Sequence, residues 1–190
     1  MRRLTVFCWI LASLASYPVV ADQQQDFQQQ SKVAIQEFAT TLKGALVSAM
    51  QSGGPTEAIL VCNQVAPTIA ASLSEKYGID IARTSLKVRN PDNKADCWEQ
   101  KVLRQFEDRK QAGEAINTLS FSEKINRDDG QELRMMKAIP TGEVCLKCHG
   151  SNIAEPVQAT LDKLYPDDQA TGFSLGDIRG AFTIRKTVKQ

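Results

Sequence analysis

Apolar residues recur along the first third of the chain at Ile35, Phe38, Leu42, Leu46 and Ala49. Steps of three and four place them on one face and predict an amphipathic helix. The Gln-rich stretch Gln23–Gln30 ahead of it is expected to be loosely ordered. Gly53 and Gly54 stop the helix, and Pro55 can open the next. A second stripe, Ile59, Cys62, Ala66, Ile69, Leu73 and Tyr77, keeps the same steps and turns Cys62 toward the core. Pro67 lies inside that stripe. It has no N–H to offer the carbonyl of Asn63, which predicts a kink or break there.

After Gly78 the period shortens. Ile79, Ile81 and Arg83 begin a strand-like alternation, and Asn90-Pro91-Asp92-Asn93 is a turn. Asp96 and Glu99 form a D-x-x-E capping pattern before a helix carrying Trp98, Val102 and Phe106. A β-rich stretch follows, with Leu119 and Phe121, a turn at Asp129-Gly130, then Leu133–Ile139. Pro156–Leu164 predicts a short helix. Phe173–Val188 predicts a terminal strand or hairpin, with turn signals at Gly176-Asp177 and Gly180. Helices come first, then strands mixed with short helices on short turns. This order predicts an α+β domain: a mainly antiparallel sheet with an N-terminal helical layer packed on it. The segments around Ile81, Phe121, Leu133 and Phe182 are expected in one sheet.

The first residues read as a targeting segment. Arg2 and Arg3 precede the apolar run Leu4–Val20, and Val19 and Ala21 place small residues before a cleavage site at Asp22. The alternative is an uncleaved anchor, for which 17 residues interrupted by Pro18 are marginal. Residues 1–21 are therefore expected to be a signal peptide that takes Cys8 with it. Residues 22–190 are expected to form a single exported domain, periplasmic and without a membrane span. A composition of 42% hydrophobic and 24% charged residues suits one core. Net charge is +1; without Arg2 and Arg3 the count is 21 basic against 22 acidic residues, or −1. That balance gives no electrostatic footprint for nucleic acid.

Candidate chemistry concentrates in Cys145-Leu146-Lys147-Cys148-His149. Two thiols separated by two residues can each add across one haem vinyl group, and the next residue then lies under the iron. A chance occurrence of this pattern is on the order of one in a thousand. His149 is the chain's one histidine. The expected cofactor is one covalent haem c, with Cys145 and Cys148 as thioethers and His149 on the iron. A thioredoxin-like C-x-x-C would need no following His and would sit in a βαβ setting that is missing. A four-thiolate zinc site would need Cys62 and Cys97 paired as a knuckle, which their spacing denies. A four-helix cytochrome bundle also carries its motif late, but here 41 residues follow His149 and the last of them read as strand.

Several stretches together resemble a bacterial family of single-haem c-type domains with a PAS-like fold, long catalogued as a domain of unknown function. They are V-C-N-Q-V-A-P at Val61–Pro67, R-T-S-L-K-V-R-N-P-D-N at Arg83–Asn93 and D-C-W-E at Asp96–Glu99. C-L-K-C-H-G at Cys145–Gly150 and Y-P-D-D-Q-A-x-G-F-x-x-G-D-I-R-G-A at Tyr165–Ala181 complete the set. Ala95, where the family often has Pro, and Cys97, a position usually not Cys, depart from it. The resemblance implies haem held between the N-terminal helices and the sheet, with Cys62 as the second axial ligand. It also implies a sensing role, since such domains occur as exported proteins and as extracytoplasmic modules of kinases and chemoreceptors.

The residues by themselves leave Cys62 open between an iron ligand, an inert buried thiol and a disulfide with Cys97. If Cys62 is not on the iron, Met50 or an open site takes its place. All four methionines, Met1, Met50, Met135 and Met136, precede the motif. Arg83, Lys87 and Arg89 are candidates for the haem propionates, or else a solvated basic strand face. Tyr77 and Trp98 read as core, and Gly172, Gly176 and Gly180 as turn residues. Three functions compete. Redox or ligand sensing leads. Electron transfer is the alternative, weakened by the balanced charge, because carriers use charge asymmetry for docking. A peroxidase would want a distal base that a chain with one histidine lacks, so a catalyst is not expected. The expected partner is a redox or signalling protein.

Overall fold

A computed structural model describes residues 19–189, and of residues 19–22 the backbone alone. The expected signal peptide therefore lies almost wholly outside the described residues, with Val19–Ala21 falling in the first helix.

Helix α1 (Val19–Ser52) leads into α2 (Gly54–Leu60), a π-helical turn (Val61–Val65) and α3 (Ala66–Tyr77). Strand β1 (Asp80–Thr84), helix α4 (Cys97–Gln111) and the hairpin β2 (Ser120–Arg127) and β3 (Gly130–Pro140) follow. Short helices α5 (Leu146–His149) and α6 (Glu155–Leu164) precede the last strand, β4 (Ile178–Lys189). The four strands form one antiparallel sheet in the order β1-β4-β3-β2. Ile81, Phe121, Leu133 and Phe182 all lie in it, as their alternation predicts.

One expectation for α1 to α3 is corrected and one refined. Gln23–Gln30 is helical rather than loose. Phe27 extends the apolar stripe of α1 and is buried, and Gln30 donates to the carbonyl of Tyr77 at 2.9 Å. The irregularity expected at Pro67 takes the form of a π turn rather than a break in the helix. Ahead of Pro67 the backbone widens into the π turn, and the Ala66 N–H reaches the Val61 carbonyl five residues back. Pro67 then sits in the first turn of α3, where its fixed φ suits the helix. The extra residue swings the apolar face. Ile59 packs with Val157, Leu161 and Tyr165, whereas Ile69 and Leu73 pack on the sheet.

On the sheet's first face, α1 and α3 bury Phe38, Ile35, Ile69 and Leu73 against Ile81, Leu133, Met135, Phe182 and Ile184. The rings of Phe38 and Phe182 lie 5.4 Å apart. The second face is covered as well. There α4 buries Val102, Leu103 and Phe106 against Met136, Ala138, Ile178 and Ala181. The capping pattern works as read: Asp96 accepts from the Glu99 N–H at 2.7 Å, and Glu99 accepts from the Asp96 N–H at 2.9 Å. The C-terminal segment is one strand, not a hairpin. Gly180 is inside it rather than in a turn, because a Cβ there would lie 2.3 Å from the Thr84 carbonyl oxygen. Its bare Cα lets β4 approach β1.

Candidate functional site

The motif is built on a tight turn. A 3₁₀ turn at Glu143–Cys145 runs into α5, so both thiols and His149 fall on barely two turns of helix. Gly150 closes it, where a Cβ would stand 2.7 Å from the Leu146 carbonyl oxygen. The loop before β4 then binds the motif from the side. Gly172 N–H donates to the Gly150 carbonyl at 3.1 Å, and Phe173 N–H to the His149 carbonyl at 2.9 Å.

His149 Nδ1 lies 2.7 Å from the Ala170 carbonyl oxygen. That acceptor requires the proton on Nδ1 and leaves Nε2 with its lone pair, the form in which imidazole binds a metal. Burial, with Arg179 and Arg89 nearby, pushes the pKa of His149 down to about 2, so the ring is neutral. Phe173 meets it edge-on at 6.2 Å between centroids.

The basic segment after β1 is fastened to this loop. Arg89 donates from Nε and Nη2 to Asp168 at 3.0 and 2.8 Å, and from Nη2 to the Cys148 carbonyl at 2.6 Å. Asp168 in turn accepts from the Ala170 N–H at 2.8 Å. Lys87 donates to the Thr171 carbonyl at 3.0 Å and lies 5.1 Å over the Phe173 ring. Arg89 is buried and Lys87 exposed, so the three do not form a uniform solvated strand face. Only Arg83 belongs to β1, where it lies 5.8 Å over Phe38.

Cys62 reaches the site through the π turn. Helix α2 packs on α5 and α6, and Ile59, three residues before Cys62, belongs to the cluster that Cys148 packs against. Burial raises the Cys148 thiol's pKa; Arg89 opposes this, and Cys62 and Cys145 reinforce it. Cys62 is half-buried and Cys97 exposed, and all four described cysteines are free. Cys97 opens α4, on the other face of the sheet from α3, which leaves the Cys62–Cys97 disulfide without support. Met135 and Met136 are buried in the two opposite cores, and Met50 packs between α1 and α2.

Two site residues escaped the sequence reading. Tyr165 is buried beside Asn63 of the π turn, and burial raises its pKa. Arg179 donates from Nη1 to Ser85 Oγ at 3.2 Å and to the Lys87 carbonyl at 3.3 Å, with its guanidinium 5.2 Å over Phe173. Burial lowers its pKa to about 10, and Arg89 and Arg83 push the same way. Its signal was the G-D-I-R-G stretch, of which only the glycines were used. The structure thus gathers Cys62, Cys145, Cys148, His149, Arg83 and Arg89, adds Arg179 and Tyr165, and leaves Lys87 at the rim. This donor set fits haem: two thiols at vinyl spacing, a bare imidazole nitrogen, a nearby thiol and an excess of cations.

Fold and site together define an α+β domain with a four-stranded antiparallel sheet and a C-x-x-C-H helix held by the segment after its first strand and the loop before its last. Residues 17–186 match the family model of the Tll0287-like proteins, and the chain belongs to that family. A solved structure, the crystal structure of the cyanobacterial heme-protein Tll0287, shares the fold with a TM-score of 0.65 and 22% identity. The match covers 87% of this chain and 96% of that one. No curated protein matches.

Proposed function

We propose that this protein is an exported c-type haem protein that senses redox state or a ligand, rather than a catalyst. Cys145 and Cys148 would hold the haem by thioethers, with His149 Nε2 and Cys62 Sγ on the iron. The observation that carries this reading is the His149 Nδ1 to Ala170 hydrogen bond, which commits the ring to presenting Nε2. Bound there, haem would supply a one-electron couple, which a thiolate ligand biases toward the ferric state. The chain's own part is to fix the imidazole's tautomer, aim the thiol and exclude water with Phe173, Tyr165 and Ile59. None of the described helices is long and apolar enough to cross a membrane. Export rests on the pattern Arg2 to Ala21.

Expression with a c-type maturation system tests the reading. Haem should stay with the polypeptide through acid–acetone extraction, and the mature chain should begin at Asp22 in the periplasmic fraction. Ferric protein should be low-spin with thiolate-type EPR anisotropy, and Cys62→Ser should turn it high-spin. Pigment that extracts freely ends the covalent reading; unchanged spectra in Cys62→Ser end the thiolate one. Electron transfer is favoured by a different observation. Val65, Leu86, Val144 and Leu175 are exposed apolar side chains, and each flanks a segment that builds the site, as a docking rim would. Fast electron exchange with a small soluble cytochrome, slowed by Leu175→Asp, would select that role over sensing.

A further inference from the structure

The site holds more positive charge than its own carboxylates answer. Arg83, Arg89 and Arg179 lie close enough that Arg83 and Arg89 both act on Arg179. Asp168 is the acid among them, and it is taken by Arg89 through Nε and Nη2. Arg89 also donates to the carbonyls of Cys148 and Ala170, so it braces the motif. Among the described residues, Arg83 and Arg179 have no carboxylate within ion-pair distance. Arg179 uses Nη1 alone; its Nε and Nη2, the edge that grips a carboxylate with two parallel bonds, have no partner. Arg83 likewise makes no side-chain hydrogen bond. Two partly buried guanidinium groups without an anion are unfavourable. Haem carries two propionates, so the count closes: one carboxylate for each unanswered arginine.

We propose that Arg83 and Arg179, rather than Lys87 or Arg89, receive the two propionates, and that their charge holds the iron's potential up against the thiolate. This rests on the haem reading above. With both pairs formed, the propionate charges are neutralised beside the iron. Removing either arginine leaves one uncompensated negative charge in a poorly screened site, which favours iron(III) over iron(II).

The test is a potentiometric titration of the holoprotein with redox mediators, in which iron(III) takes one electron from the mediator and becomes iron(II). Arg179→Gln and Arg83→Gln should each shift the ferrous-to-ferric ratio at least tenfold toward ferric at a fixed potential, about 59 mV for one electron. Arg179→Lys keeps the charge and should recover most of the shift. Arg104→Gln, the same charge change on the exposed face of α4, should not move the potential. Redox-difference infrared spectra should show displaced propionate carboxylate bands in Arg179→Lys, where the two-bond grip is lost. Parent-like potentials in both Gln variants overturn the proposal, as does an Arg104→Gln shift of equal size. If Arg179→Gln fails to accumulate, parent-like potential in Arg83→Gln or unmoved carboxylate bands in Arg179→Lys overturn it. A parent protein without covalent haem refutes the haem reading instead, and is scored separately by the pyridine haemochrome spectrum.

Discussion

Asp168 is the residue on which the site's geometry should depend most. One carboxylate oxygen takes both Arg89 bonds, at 3.0 and 2.8 Å, and the other takes the Ala170 N–H at 2.8 Å. The Ala170 carbonyl then holds His149, and Arg89 holds the Cys148 carbonyl. Side chains of the pair are 7% and 8% exposed, so water does little to screen them. Asp168→Ala strands a buried cation, a change that destabilises by about 3–5 kcal/mol. For a domain of this size that is a fall in Tm of roughly 6–20 °C. Asp168→Asn keeps an acceptor for Ala170 while losing the charge. It should therefore fall between parent and Asp168→Ala, the gap being the worth of one charge-assisted hydrogen bond, about 1.5–3 kcal/mol. The double change Arg89→Met with Asp168→Leu removes both charges and should be milder than the sum of the single changes. Urea unfolding followed by tryptophan fluorescence, with thermal unfolding by circular dichroism, measures each. A loss under about 1 kcal/mol in Asp168→Ala, as for an exposed pair, would refute the reasoning.

Gly180→Ala should destabilise by about 3 kcal/mol, because its Cβ would meet the Thr84 carbonyl oxygen at 2.3 Å and the obstacle is backbone; a parent-like urea midpoint would contradict this. For Asp96, burial pushes its pKa up, but the Glu99 N–H and Arg134 outweigh this and hold it below the usual value. Its stabilisation is thus present above the unfolded pKa and lost as pH falls through the folded one. Asp96→Ala should lower stability by about 1–2 kcal/mol at neutral pH, a gap that closes below about pH 4; a gap that stays constant well below that pH would count against it. Deleting Gln64, an exposed residue of the π turn, should restore a plain α-helix and turn Cys62 by about 100° relative to α3. Thiolate EPR should then vanish while covalent haem remains, and a retained signal would show that the turn does not aim the thiol.

What could be read along the chain was whatever depends on neighbours. Alternation at Ile81 and Phe182, the Gly53-Gly54 stop and the Asp96–Glu99 box are each set within a few residues. So is Cys145–His149, a motif of five consecutive residues. The π turn was hidden because a run at steps of three and four fits an unbroken α-helix equally well. One residue absorbed between Val61 and Val65 leaves the pattern intact but splits its face between the motif and the sheet. The polar half of the site was hidden for a different reason. Arg89 meets Asp168 across 79 residues, and Arg179 meets Ser85 across 94. The second meeting is fixed by strand register, with Arg83 opposite Phe182 and Thr84 opposite Ala181. Gly180, the neighbour of Arg179 in β4, is what permits that register. The spacing of Arg83 from Arg179 therefore hangs on a residue with no side chain. Cys145 and Cys148 hang on a separate turn closed by Gly150. A lesion at Gly180 should then disturb the iron's potential before it disturbs attachment of the haem.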